Sequence, residues 1–279
     1  MNVLSLFDGM SCGQIALNRC GLKYDKYYAS EIDKHAIMVT MANYPNTIQL
    51  GDVKKIKGSD LSKIDLLIGG SPCQDISNLN RFKMGLDGDK SGLFYQYWRL
   101  WQETKPKYFL LENVFGNKNA VKQITKLMGV RPIKISSNWV SAQNRLRLYW
   151  TNIPVNSLPG KKNISLSEIL QDKVDAKYYQ SDSWLKWWDA NNEFQLSKGY
   201  STLNADKAAC LTKRMYASWN GNFIKDEIGI RRLTPVECEK LQTVPVGYTA
   251  HVEDKYRYEM LGNGWTVDII CHIFKHIKK

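Results

Sequence analysis

Short apolar runs alternate with helical patterns over the first half of the chain. The run at residues 2–6 is strand-like, and continuous apolar runs recur at 64–68 and 108–111, as in strands buried on both faces. Residues 93–101 are too long and too aromatic for one strand and end before Pro106, which predicts a helix. Strands that alternate with helices predict an α/β fold, with βαβ units around a parallel sheet.

Several helix ends are marked by their residue types. A short helix is predicted over residues 14–17, and another from Asp33 to just before Pro45. Residues 234–237 read Thr-Pro-Val-Glu, which is the order of a capping box with proline in the first turn. The last segment, 267–278, has an amphipathic helical pattern with basic residues near its end.

The regular alternation stops near Pro154 and returns at Arg231. The stretch between them holds several tryptophans among polar and glycine-rich turns, with no internal repeat. We therefore predict a catalytic and cofactor-binding domain at 1–153, a separate module at 154–230, and a segment at 231–279 that returns to the first domain.

The charge of the chain is uneven. Of its net +12, most comes from residues 81–150, which hold 13 basic and 4 acidic side chains. Clustered Lys and Arg favour an anionic partner, most economically nucleic acid, because they displace counterions from phosphates. The alternative for such a segment is a solvated basic surface.

Composition narrows the class of protein further. The N-terminus meets Asp8 before an apolar core of signal-peptide length has formed, and no apolar run reaches the ~18 residues of a membrane span. We expect an intracellular protein with no membrane partner. The six cysteines form no C-x-x-C pair, so neither a metal site nor a dithiol redox centre is predicted.

Acidic residues at successive strand ends suggest a nucleoside-bearing cofactor. Two glycines in residues 7–13 allow a tight turn between the first strand and the first helix. Glu31 closes the next apolar run about 20 residues on, where a carboxylate accepts ribose hydroxyls, and Asp52 ends a third run. The alternative is that the glycines serve only the turn.

Two further strand ends carry side chains suited to chemistry. Cys73 follows the first buried run, behind two glycines and Pro72, and an exposed loop there favours a nucleophile over the alternative of a small buried hydrophobe. Glu112 ends the second buried run, where a carboxylate is rarely kept without a partner. Arg145 and Arg147 are predicted on one face of an extended segment, where an arginine could orient Glu112. The alternative for the two arginines is that they only contact phosphates.

The order of these motifs resembles the DNA cytosine-5 methyltransferase family. The resemblance covers residues 1–153 and 231–279 and rests on Phe-Asp-Gly at 7–9, Glu31, Gly-Asp-Val at 51–53, Pro-Cys-Gln at 72–74, Glu-Asn-Val at 112–114, Gln-x-Arg-x-Arg at 143–147, Arg-x-Leu-Thr-Pro-x-Glu at 231–237 and Gly-Asn-Gly at 262–264. The turn after Gly9 is similar to that of the subgroup containing the vertebrate de novo enzymes and their phage and bacterial relatives. The family implies a Rossmann-like S-adenosylmethionine-dependent methyltransferase sheet with a small inserted target-recognition domain, here 154–230.

The resemblance also implies roles for single residues. Cys73 would add to carbon 6 of cytosine while Glu112 protonates or hydrogen-bonds ring nitrogen 3. Arg147 would hold the carbonyl oxygen of the base and orient Glu112. The implied catalytic residues are Cys73, Glu112, Arg147, Arg145 and Pro72. The implied cofactor is S-adenosyl-L-methionine, and the residues expected to bind it are Phe7, Asp8, Gly9, Cys12, Glu31, Ile32, Asp52, Val53, Asn263 and Trp265.

The expected substrate is double-stranded DNA, with the target cytosine flipped out of the stack. One alternative is a tRNA cytosine-5 methyltransferase on the same scaffold. Another is a catalytically silent DNA-binding relative, against which the intact Cys73, Glu112 and Arg147 speak. The sequence leaves open the oligomeric state, a monomer included, and the recognised site. The candidates for base reading or stacking are Lys213, Arg214, Tyr216, Trp219, Asn220 and Asn222.

Overall fold

The structure is a computed structural model that describes residues 1–72 and 91–278. The chain divides into two compact units. Unit 1 comprises residues 1–136, 146–158 and the C-terminal residues from 269, and unit 2 comprises 137–145 and 159–268. This division groups residues by packing, so the three predicted functional domains stay a prediction. No helix in the described part of the chain is both long and apolar enough to cross a membrane.

A seven-stranded sheet forms the centre of unit 1. Its strands in chain order are β1 (Asn2–Leu6), β2 (Lys26–Ser30), β3 (Ile48–Gln49), β4 (Leu66–Gly70), β5 (Tyr108–Val114), β6 (Ile133–Ser136) and β7 (Leu146–Thr151). In space they follow the order β3-β2-β1-β4-β5-β7-β6. The first five strands are parallel, and β7 runs antiparallel to both β5 and β6. The predicted α/β fold around a parallel sheet is confirmed.

Four helices of unit 1 alternate with these strands. They are α1 (Cys12–Arg19), α2 (Lys34–Asn43), α3 (Phe94–Thr104) and α4 (Lys118–Met128). The predicted start of α2 is confirmed, because the Asp33 side chain accepts hydrogen bonds from the amides of His35 and Ala36. The core of the unit joins strand side chains such as Leu67 and Leu111 to the aromatic residues of α3.

A glycine lets α1 approach the sheet closely. A Cβ atom at Gly13 would lie 2.4 Å from the Ile68 side chain and 2.6 Å from the Tyr27 hydroxyl. A larger residue would have to displace the end of the Ile68 side chain and the Tyr27 hydroxyl. The second of the two glycines therefore lies within α1 and has a packing role.

Unit 2 contains a helix that the sequence pattern did not predict. α5 (Asp182–Ser197) follows Ser181, whose side chain accepts from the amide of Trp184. The helices and strands of unit 2 are, in chain order, α5, β8 (Thr202–Leu203), β9 (Asn222–Lys225), β10 (Ile230–Arg232), α6 (Pro235–Leu241) and α7 (Asp254–Asn263). β10, β9 and β8 form a small sheet, and Trp184, Trp188 and Phe223 form its core.

The predicted caps and the C-terminal helix are present with one change of length. Thr234 and Glu237 form a reciprocal capping box at the start of α6, with proline in the first turn, as predicted. α8 (Val267–Phe274) begins where expected but ends four residues before the predicted 278. The basic residues after Phe274 therefore follow the helix instead of lying within it.

Candidate active site

The predicted site residues of unit 1 lie at one edge of its sheet. β1, β2, β4 and β5 are parallel, so their C-terminal ends share that edge. Leu6 lies opposite Ser30, and Gly70 lies opposite Glu112. The chain therefore leaves β4, on its way to Cys73, at the level of Glu112.

The loop after β1 is conformationally strained. The backbone angle φ is 58° at Phe7, 57° at Gly9 and 62° at Ser11. Left-handed backbone is rare for a bulky residue such as phenylalanine, because its Cβ crowds the chain, and strain of this kind clusters at functional sites. The amide of Asp8 donates to the Ser30 carbonyl at 3.0 Å, which fastens the strained loop to the end of β2.

The carboxylate of Glu31 connects the loop after β1 to the chain after β2. Its Oε2 accepts from the amide of Gly9 at 2.7 Å, and its Oε1 accepts from the amides of Ile32 and Asp33 at 2.7 and 2.9 Å. A carboxylate offers about four acceptor positions, so Glu31 retains capacity for a hydroxyl donor. Beside it, the Ile32 side chain is 77% exposed and offers an apolar surface to a ligand.

The remaining predicted cofactor residues of unit 1 divide into one accessible and two buried side chains. Asp52 is half-buried, and its Oδ1 accepts from the amide of Lys54 at 3.0 Å at the start of a short 3₁₀ helix. Val53 and Cys12 are buried. Their side chains belong to the interior, whereas the half-buried Asp52 keeps acceptor capacity.

Asp8 is a buried carboxyl whose ionisation is unfavourable. Burial raises its pKa to about 6, while hydrogen bonds from Ser5, Tyr27 and Ser11 act in the opposite direction. The Tyr27 hydroxyl donates to Oδ1 at 2.8 Å, and Oδ2 is buried without a hydrogen-bond partner among the described residues. Tyr27 therefore belongs to this site. The sequence pattern shows it only as an apolar position of a strand, because its contact with Asp8 is visible only in the structure.

Replacing Asp8 by asparagine is expected to remove one pH dependence of stability. The raised pKa means that the folded chain holds a proton that the unfolded chain has lost, so the free energy of unfolding falls as pH rises from about 4 to 6. Above that window the loss is constant at about 3 kcal/mol. Urea unfolding of wild type and Asp8→Asn at pH 4.5 and 7.5 measures it, with Asp60→Asn at an exposed position as the control. A wild-type difference shared by Asp8→Asn would contradict the assignment.

An ion pair joins the two catalytic candidates that the sheet brings together. Arg147 Nε lies 2.9 Å from Glu112 Oε1, and both side chains are less than 15% exposed. Val114 is the register partner of Arg147, two residues beyond Glu112 on β5, so adjacent antiparallel strands hold the pair. Arg147 is therefore the arginine in contact with Glu112, and its role in orienting Glu112 stays a prediction.

Asn113 fixes the loop that leads to the predicted nucleophile. Its Nδ2 donates to Ser71 Oγ at 3.0 Å and to the Ser71 carbonyl at 3.4 Å, and its Oδ1 accepts from the amide of Val114. Pro72 is half-buried and is the last described residue before a gap. Cys73 lies outside the described residues. Asn113 was not singled out from the sequence, although it lies within the Glu-Asn-Val motif.

Arg145 belongs to unit 2 and is bound to backbone there. Its guanidinium donates to the carbonyls of Leu211, Gly262 and Gly264 at 2.8–3.2 Å, and the side chain is 4% exposed. These contacts fasten the ends of two segments of that unit. A catalytic role for Arg145 stays a prediction that none of these contacts supports.

The other candidates of unit 2 differ in accessibility. Asn263 is exposed at the end of α7 and Trp265 is half-buried, and their predicted role toward the cofactor stays a prediction. The side-chain amide of Asn222 is hydrogen-bonded within the protein, to the backbone of Ala209 and to Thr202. We therefore withdraw Asn222 as a candidate reader of bases.

No group of three or more His, Cys, Asp or Glu residues is arranged to hold a metal ion among residues 1–72 and 91–278. The side chains that the structure places at the sheet edge are carboxylates and the guanidinium of Arg147, and Cys73 follows β4 in the sequence. These groups suit proton transfer and orientation of a planar polar substrate.

Comparison with known proteins assigns the class. Residues 1–279 match the family model described as C-5 cytosine-specific DNA methylase. The type II methyltransferase M1.ScrFI of Lactococcus lactis subsp. cremoris is 28% identical over 96% of this chain and 75% of its own. The type II methyltransferase M.Bsp6I of Bacillus sp. (strain RFL6) is 26% identical over 100% and 99%. The solved structure of S. pombe Dnmt2 methyltransferase has the same fold, with a TM-score of 0.76 at 17% identity over 98% and 97% of the two chains.

The fold is that of the S-adenosylmethionine-dependent methyltransferases. More narrowly, the chain belongs to the C-5 cytosine-specific DNA methylase family, and the predicted class of enzyme, a DNA (cytosine-5-)-methyltransferase, is confirmed.

Proposed function

We propose that the chain methylates carbon 5 of a flipped cytosine in double-stranded DNA through a covalent adduct with Cys73. The observation that carries the proposal is the Glu112–Arg147 ion pair at the level where the chain leaves β4 for the nucleophile loop. Asn113 and Ser71 connect the two strands at that level. Addition to a cytosine ring requires a nucleophile and a group that donates a proton or a hydrogen bond to the ring, and Cys73 and Glu112 follow or end adjacent strands.

The proposed chemistry begins with activation of the base. Carbon 5 of cytosine is a poor nucleophile, and addition of the Cys73 thiolate to carbon 6 places electron density on it. Glu112 protonates or hydrogen-bonds ring nitrogen 3, which removes the negative charge that the addition creates. Removal of the carbon-5 proton after methyl transfer then expels Cys73 and restores the aromatic ring.

Arg147 is proposed to act on both the base and Glu112. Its Nε is used by the Glu112 carboxylate, and a guanidinium carries further donors on its terminal nitrogens. Its Nη1 donates to the Leu146 carbonyl at 2.8 Å. We propose that the guanidinium also holds the carbonyl oxygen of the base. A fixed fork of donors orients a planar ring better than a lysine ammonium would.

The residues at the β1 and β2 ends fit S-adenosyl-L-methionine, which supplies an electrophilic methyl group when bound. Glu31 retains acceptor capacity for ribose hydroxyls, and Asp52 has an acceptor for an adenine amino group. Phe7 and Ile32 provide apolar surface for the rings. The amide of Gly9 lies 2.7 Å from Glu31 Oε2, so the strained loop brings backbone close to this carboxylate.

The charge of the chain supports a polyanionic substrate. No Asp or Glu occurs from residue 113 to 167, whereas nine Lys and Arg do. Lys118, Lys122 and Lys126 are exposed and recur every four residues along α4, on the side away from its buried positions. They are available for phosphate contacts.

Incubation with labelled S-adenosyl-L-methionine tests the substrate. Duplex DNA and tRNA are offered separately, and we expect label in duplex DNA, at carbon 5 of cytosine after hydrolysis of the product. Bisulfite sequencing of DNA from cells that express the chain then reports the sequence context. Transfer of label to tRNA alone would overturn the DNA assignment in favour of the tRNA alternative.

A further inference from the structure

A cleft in unit 2 is lined by aromatic and basic side chains that the proposed chemistry does not use. Its volume is about 140 Å³. Residues from the segment before α5, from β10 and from α7 surround it, together with one residue before β9. The lining residues are Lys177, Tyr178, Tyr216, Arg232, Asp254, Lys255 and Tyr258.

The single carboxylate of the cleft is already neutralised. Asp254 pairs with Lys177 Nζ at 2.7 Å and with Arg257 Nη1 at 3.2 Å, and it accepts from the Tyr178 hydroxyl at 2.8 Å. The negative charge of Asp254 is therefore balanced by Lys177 and Arg257. It offers little repulsion to an incoming anion.

The other two cations of the cleft contact neutral groups. Arg232 donates to the carbonyl of Tyr216 and to Gln180 Oε1, and Lys255 Nζ lies 5.8 Å from the centre of the Tyr216 ring. Within the described residues, neither Arg232 nor Lys255 pairs with a carboxylate. Positive charge gathered in a concave site without a matching acid favours an anionic ligand.

We propose that this cleft binds one phosphate group of the DNA backbone. The inference rests on the proposed function, because it takes duplex DNA as the substrate. The cleft, of about 140 Å³, has room for a phosphate group. Arg232 and Lys255 supply the charge-assisted donors, and the tyrosine rings pack against the sugar.

The salt dependence of binding tests this directly. Fluorescence anisotropy with a labelled duplex gives Kd for the full-length chain over a series of salt concentrations. Loss of one phosphate contact lowers the slope of log Kd against log salt by about 0.9, which is about an eightfold weaker Kd at 0.1 M salt. We expect this for Lys255→Gln and for Arg232→Gln. Lys255→Arg should keep the wild-type slope.

Lys186→Gln is the matched control, because it removes one positive charge from an exposed position on α5 of the same unit. Its slope should equal that of the wild type. Duplex DNA that is bound and methylated with an unchanged slope in Lys255→Gln would overturn this inference and leave the proposed function intact. Failure of the wild type to bind duplex DNA would overturn both.

A second arm separates the backbone from free anions. Isothermal titration of the wild type with inorganic phosphate should show no binding at micromolar concentrations. Micromolar binding that Lys255→Gln abolishes, with the DNA slope unchanged, would assign the cleft to a small anion and overturn the backbone assignment.

Discussion

Cys73→Ser is expected to abolish methyl transfer while leaving DNA binding measurable. A serine hydroxyl is a much weaker nucleophile than a thiolate, so addition to carbon 6 fails and carbon 5 is never activated. Removal of a catalytic nucleophile costs about 10⁴-fold or more in kcat. Single-turnover transfer of labelled methyl groups to duplex DNA measures the loss, and anisotropy measures binding in the same samples.

The covalent step has its own readout. In DNA that carries 5-fluorocytosine at the target, the fluorine replaces the proton that must leave carbon 5, so the adduct cannot resolve. We expect a denaturation-resistant complex with wild type and none with Cys73→Ser. Cys20→Ser is the control, because contact with Cys271 and burial raise the pKa of the Cys20 thiol and keep it protonated. Full methylation by Cys73→Ser would refute the mechanism.

The sheet was largely predictable because its strands are continuous apolar runs. β1 has the predicted bounds, whereas β4 begins two residues later than the apolar run and ends on Gly69 and Gly70. Glycines carry no hydrophobic signal, yet a Cβ at Gly69 would lie 2.9 Å from the Leu6 carbonyl. The close approach of β1 and β4 thus requires a residue that periodicity cannot recognise as part of a strand.

The two arginines show the limit of local reasoning at the site. A period of two places Arg145 and Arg147 on one face only if both lie in the same strand, and β7 begins at Leu146. Arg145 therefore precedes the strand, and its carbonyl partners come from distant segments of unit 2. Arg147, inside the strand, meets Glu112 as its position predicts. The pairing of β5 with β7 determines which arginine contacts Glu112. This pairing cannot be derived from the sequence of a single chain.

α5 was missed for a related reason. Its tryptophans lie in the first two turns, and the next positions at helical spacing, Asn191 and Gln195, are polar. The apolar positions therefore do not repeat at helical spacing over its length. The helix is stabilised by packing of Trp184 and Trp188 against Phe223 of β9. Such tertiary support is not visible from local periodicity.

Glu112→Gln is expected to lower kcat by 10²- to 10⁴-fold, which is about the contribution of a positioned general acid. The amide keeps an oxygen for Arg147 but has no acidic proton for ring nitrogen 3. The KM for S-adenosyl-L-methionine should change little, because Glu31 and Asp52 lie at other strand ends. Steady-state transfer of labelled methyl groups measures both constants, with Arg131→Gln, at an exposed position before β6, as the control.

Arg147→Lys distinguishes orientation from simple charge balance at Glu112. Lysine keeps the positive charge but lacks the fork, so an orienting role predicts a loss of kcat, whereas charge balance alone predicts nearly wild-type kcat. Because Glu112 and Arg147 are in contact, the double variant should lose far less than the product of the two single losses. Independent, multiplicative losses would mean that Arg147 acts on the base without acting through Glu112. The ion pair would then be a structural contact, and Glu112 would depend on other groups for its orientation.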